Sequence, residues 1–96
     1  MTTPETELKS NVKHLFEVFH VFNFPIFQGL GAYKGIPDRI AHVNGRVHYL
    51  EFKAPKGKLT ENQETFREQC MVDGIAYHVI RSLDDATLLV NEWRGE

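Results

Sequence analysis

The 96-residue sequence holds a single cysteine, and no part of it is a long apolar run. Cys70 therefore has no partner for an internal disulfide, and the fold must stand on its core alone. A membrane-spanning helix needs about 20 consecutive apolar residues, so a helical membrane protein is excluded. The opening residues Met1-Thr2-Thr3-Pro4-Glu5 lack a basic stretch leading into an apolar one, and the expectation is a protein of the reducing cytoplasm. Repeats, linkers and low-complexity segments are missing as well. The histidines His14, His20, His42, His48 and His78 fall into no CxxC or HExxH spacing, which speaks against zinc. Gly29 and Gly31 lack the third glycine of a dinucleotide loop, and no Gly-Lys-Ser/Thr is present, so neither NAD nor ATP is implied.

What is present is the composition of an ordinary globular domain, 42% hydrophobic and 25% charged. At this length one domain, residues 1–96, is expected, with a core burying only somewhat more than roughly 60% of the unfolded surface. The net charge is -2 but unevenly spread. Residues 34–58 hold six of the eleven basic residues and two of the thirteen acids, giving +4 against -6 elsewhere. One basic region on an acidic body is the pattern of a protein that meets phosphates with one face.

Thr3-Pro4 followed by Glu5 and Glu7 reads as a helix start, and Leu8, Val12, Leu15, Phe16 and Phe19 recur at helical spacing, giving a first helix over about 4–21. Pro25 stops any continuation, and residues 24–28 allow a short strand before the glycine-rich stretch 29–35. The β-formers of 39–43 and 46–53 flank Asn44-Gly45, a strong hairpin signal. Thr60 and Gln63 form a capping box that opens a second helix ending at Gly74. Residues 75–81 read as a strand, and Ser82 caps a last helix to about Trp93. The order implies an α/β fold with a mixed sheet flanked by helices.

If Asn44 and Gly45 are the central residues of a type I′ turn, Val43 faces Arg46 and Asp38 faces Glu51, on the same side as Lys53. Two carboxylates with Cβ atoms about 5 Å apart repel each other unless a cation lies between them. All-oxygen ligation suits Mg²⁺ or Mn²⁺ better than Zn²⁺. Such an ion neutralises phosphate charge, and the Lys53 ammonium beside it can orient water and stabilise a pentacovalent phosphate.

Gly35-Ile36-Pro37-Asp38, the hairpin, Leu50-Glu51-Phe52-Lys53-Ala54, Gly57-Lys58-Leu59 and Gln63 together resemble the VRR-NUC family, a branch of the PD-(D/E)xK nucleases, especially its small stand-alone phage and bacterial members. The resemblance spans about Gly35 to Ile80. It implies a restriction-endonuclease-like fold, Asp38, Glu51 and the Phe52 carbonyl as metal ligands, Lys53 as the catalytic lysine, and Gln63 near the site. It also implies a glutamate on the first helix, for which Glu5, at the edge of the apolar stripe, is preferred over Glu7. Lys34, Lys56 and Lys58 flank this site as candidate phosphate contacts. The expected activity is metal-dependent cleavage of DNA, with branched DNA such as four-way junctions implied by the small relatives. The alternative is a catalytically silent nucleic-acid-binding or assembly module of the same fold. A homodimer is expected, since paired cuts in a junction need two sites and 20–27 carries five large apolar residues that so small a domain can hardly cover.

Overall fold

The computed structural model describes residues 3–96. Its elements in order are α1 (Pro4–Val18), β1 (Phe22–Pro25), β2 (Arg39–Val43), β3 (Arg46–Phe52), α2 (Glu61–Asp73), β4 (Ala76–Ile80) and α3 (Leu83–Gly95). The four strands form one sheet in the order β1-β2-β3-β4. The first three run antiparallel in succession, whereas β3 and β4 are parallel and joined through α2. None of the helices is long and apolar enough to cross a membrane.

Each helix begins where a hydroxyl satisfies an otherwise unpaired amide: Thr3 accepts from Thr6, Thr60 from Gln63 and Ser82 from Asp85. The first helix ends at Val18, three residues short of the sequence expectation. His20 takes a left-handed conformation (φ 57°), and the amides of His20 and Val21 turn back onto the carbonyls of Glu17 and Phe16. That double closure is a Schellman cap made without glycine, so no local residue signal marks it. The strand expected over 24–28 is shifted to 22–25. Pairing with β2 decides its place, from Phe22 opposite His42 to Pro25 opposite Arg39. As the last residue of an edge strand, Pro25 costs the ladder little by lacking an N–H.

The hairpin has the expected turn and register. Asn44 and Gly45 both have positive φ (51° and 78°), and pairing runs from Val43–Arg46 to Arg39–Leu50. Because side chains alternate, this register sends His48, Leu50 and Phe52 to one face and Tyr49 and Glu51 to the other. The first face is covered by α1 and α3: the Phe16 ring lies 5.8 Å from Trp93, which lies tilted 4.9 Å from His48. Val12, Phe16, Leu50, Phe52, Ile80, Val90 and Trp93 make up most of the buried core there. A large apolar side chain so buried contributes about 1.5–3 kcal/mol, so this face carries the stability. The second face is covered by α2, whose Phe66 meets Tyr49 at 5.1 Å.

Candidate active site

Glu51 sits one residue before the end of β3, on the α2 face, and is only 2% exposed. A carboxylate is rarely so buried without compensation. One oxygen, Oε1, accepts a 2.8 Å hydrogen bond from Gln63 Nε2 and lies 4.0 Å from Lys53 Nζ. The other, Oε2, has no partner among the described residues. Burial and the charge of Asp38 push the Glu51 carboxyl up to about 8, with Glu5 adding to the rise and Lys53 and Lys9 opposing it. Without a metal the carboxyl therefore holds its proton at a pH where an ordinary glutamate has lost it.

Asp38 arrives beside it through a distortion of the ladder. Its amide donates to Leu50 O, the carbonyl of the residue opposite Arg39, so Asp38 and Arg39 share one partner as in a β-bulge. The straightforward Asp38–Glu51 pairing expected from the turn therefore stops one residue early. Instead the Asp38 carboxylate reaches over the strand end and accepts from the Phe52 amide at 2.8 Å. Its carbonyl takes the Ile26 amide, tying the loop after β1 to the same point.

The loop carrying Asp38 lies directly on the first turn of α2. Gly35 has φ +86°, and a Cβ there would stand 2.3 Å from the Asn62 carbonyl oxygen, so only glycine admits this approach. The contact sets Gln63, whose side chain serves two partners at once. Its Oε1 accepts the Thr60 amide in the capping box while its Nε2 holds Glu51. The cap and the site contact are parts of one device, which joins the helix start to the carboxylate.

Glu5 enters the site through a residue that sequence reasoning passed over. Lys9 Nζ lies 3.7 Å from Glu5 and 3.6 Å from Asp38, bridging α1 to the start of β2. Glu5 is half-buried whereas Glu7 is exposed. Lys34, Lys56 and Lys58 are exposed. The loop holding the latter two is pinned by Arg81, whose guanidinium donates to the carbonyls of Ala54 (3.1 Å) and Gly57. Arg81 was also missed. The only signal for Lys9 was its i,i+4 spacing from Glu5, and for Arg81 its place just past a strand.

Among the described residues no three His, Cys, Asp or Glu side chains gather as a metal-ligand set. The candidate is thus a two-carboxylate site, Asp38 and Glu51, with the main chain of Phe52 between Glu51 and Lys53. Magnesium is commonly held by one or two carboxylates, with waters and substrate oxygens completing its shell. The unpartnered Glu51 Oε2 and the repulsion from Asp38 are what a divalent cation would relieve, so the residues present fit such an ion.

A solved structure described as a VRR_NUC domain superimposes on this chain with a TM-score of 0.82. The alignment covers 96% of this chain and 99% of that one at 19% sequence identity. No protein-family model matches the sequence, and no curated protein matches it. The likeness is one of fold: the chain has the mixed, helix-flanked sheet of the VRR_NUC domain, which is of the restriction-endonuclease-like class.

Proposed function

We propose that this chain is a metal-dependent nuclease of the VRR-NUC family, hydrolysing phosphodiester bonds in DNA. The observation that carries this is Glu51: a buried carboxylate with one unpartnered oxygen, beside a second carboxylate and a lysine, on a fold shared with a VRR_NUC domain. Asp38, Glu51 and the Phe52 carbonyl would hold Mg²⁺ or Mn²⁺. When bound, such an ion supplies charge neutralisation at the phosphate and acidifies water.

The chain's own residues do the rest. Gln63 fixes the Glu51 carboxylate by donating to its Oε1, which leaves the unpartnered Oε2 as the oxygen that would meet an ion. The Phe52 amide fixes Asp38. Lys53, mostly buried and held near Glu51, places a positive charge where the phosphate gains negative charge. Lys9 holds Glu5 and Asp38 together and offsets their charge. The exposed Lys34, Lys56 and Lys58 are suited to backbone phosphates, which gives affinity without sequence preference.

The substrate we favour is branched DNA, including four-way junctions, cut by a cytoplasmic homodimer. Support for the dimer comes from β1, an edge strand that leaves Phe22 61% exposed, followed by Phe27 at 85%. Apolar side chains along an unpaired edge invite a second chain. Incubating the protein with labelled four-way, flapped, single-stranded and linear duplex DNA, with Mg²⁺, Mn²⁺ or chelator, tests the proposal. Metal-dependent cutting, fastest on branched DNA, is expected; a protein that binds these DNAs and cuts none of them is the silent module instead.

A further inference from the structure

Next to the acidic cluster, on the same face of the sheet, lies a pocket of about 350 Å³ that the hydrolysis chemistry does not use. Tyr33, Tyr49 and Phe66 line it, with Gln69 and Asp73 at its rim. Phe66 is shared by both tyrosines, its ring centroid 5.1 Å from Tyr49 and 6.1 Å from Tyr33. Tyr33 is 67% exposed, an aromatic face left in water on the loop that leads to Asp38.

The pocket and the candidate site are neighbours along two elements. Tyr49 precedes Glu51 by two residues on β3, roughly 7 Å along the same face. Phe66 follows Gln63 by three residues on α2, one turn along the same side of the helix. A strand whose phosphate lies at Glu51 therefore has its neighbouring nucleotide within reach of the pocket. Charge decides which part of that nucleotide enters. The lining includes Asp73 and no basic residue, so a phosphate is repelled and a neutral flat ring is admitted. Gln69 Nε2 donates to Asp73 Oδ2 at 3.0 Å, which leaves a second amide hydrogen and two acceptor oxygens side by side for the edge of such a ring.

We infer that this pocket takes an unpaired nucleobase from the strand bound at the acidic cluster, stacked on the exposed face of Tyr33, whose ring is braced edge to face by Phe66. The inference rests on the nuclease reading for the position of the strand. It accounts for the exposure of Tyr33 and makes an unstacked nucleotide next to the cut a requirement of the substrate. Every base has a π-face, so the pocket selects unpaired over paired DNA and not one sequence over another.

The test uses the full chain in chelator with single-stranded oligonucleotides carrying one 2-aminopurine, and blunt duplexes of the same sequence. Binding to the single strand is expected to quench the 2-aminopurine. Tyr33→Leu is expected to abolish the quench and weaken single-strand binding roughly tenfold while leaving duplex binding within about twofold, and Tyr33→Phe to restore both. Tyr33 is exposed, so its replacement leaves the core intact. Quenching by Tyr33→Leu at the wild-type level overturns the pocket, as does an equal loss of affinity for duplex. A mass halved by Tyr33→Leu in light scattering, with base quenching unchanged, also overturns it, because the occupant is then a second copy of this chain. Parallel digests with Mn²⁺ keep the two ideas apart: cutting without quenching sinks the pocket alone, and quenching without cutting sinks the nuclease alone.

Discussion

A buried acid and a half-buried histidine set opposite pH dependences on the stability of the metal-free protein. Glu51, pushed up to about 8 from 4.5 first by burial and then by Asp38, keeps a proton when folded that the unfolded chain has lost. Its contribution is therefore fully present below about 4.5 and lost as pH rises toward 8. His78 behaves in reverse. Burial, then the neighbouring His48, lowers it to about 4, so the unfolded chain takes up a proton first and stability is lost as pH falls from 6.5 toward 4. From about 4.5 to 6.5 the two slopes oppose each other, and from 6.5 to 8 Glu51 acts by itself. That upper interval of about 1.5 pH units corresponds to a loss on the order of 2 kcal/mol. Urea unfolding in chelator should show this fall for the wild type and a flat profile for Glu51→Gln, whose remaining slope lies below pH 6.5. A Glu51→Gln variant that still loses stability between 6.5 and 8 would show that Glu51 is not the titrating group. The pairing of Glu51 with Lys53 was legible from period-two alternation, since both are on one strand. Lys9 was not, because Glu5 and Lys9 at i,i+4 read as a surface ion pair and the contact with Asp38 exists only once α1 crosses the strand end.

Elements differed in how far local chemistry decided them. Asn44-Gly45 fixes turn type and register together, so the hairpin and the side on which Glu51 lies follow from the sequence. The capping box and the left-handed Gly74 likewise bound α2 as read. The end of α1, the position of β1 and the bulge at Asp38 follow from tertiary pairing, for which no local signal exists. Nor does alternation in residues 76–80 reveal that β4 runs parallel to β3. The close approach of Gly35 to α2 is the contact between elements on which the site depends most. Gly35→Ala places a methyl against the Asn62 carbonyl and requires a positive φ of a residue with a Cβ, at a cost of at least about 1–2 kcal/mol. The start of α2 must shift, taking Gln63 away from Glu51. We expect a lowered melting temperature together with a loss of cleavage exceeding that of Gln63→Ala. Full activity in a folded Gly35→Ala protein would show that the loop–helix contact does not position the site.

For the whole molecule, the sheet has two unequal edges. At one, β4 is joined to β3 through α2; at the other, β1 presents Phe22 and Phe24, packed edge to face with each other and both against His42, with Phe22 61% exposed. A homodimer through this edge would give two acidic clusters, as paired cuts in a junction require. Light scattering after size exclusion should give twice the 11.1 kDa of the chain, and Phe22→Glu should return the monomer mass. A wild-type monomer at micromolar concentration, with and without DNA, would rule the dimer out. The role of the acidic cluster is tested by the rate of strand cleavage by purified Glu51→Gln. On a labelled four-way junction with Mn²⁺, the wild type is predicted to cut and the folded variant to cut about 10²–10³-fold more slowly while still binding the DNA. Cleavage by Glu51→Gln at the wild-type rate would show that Glu51 is no part of an active site.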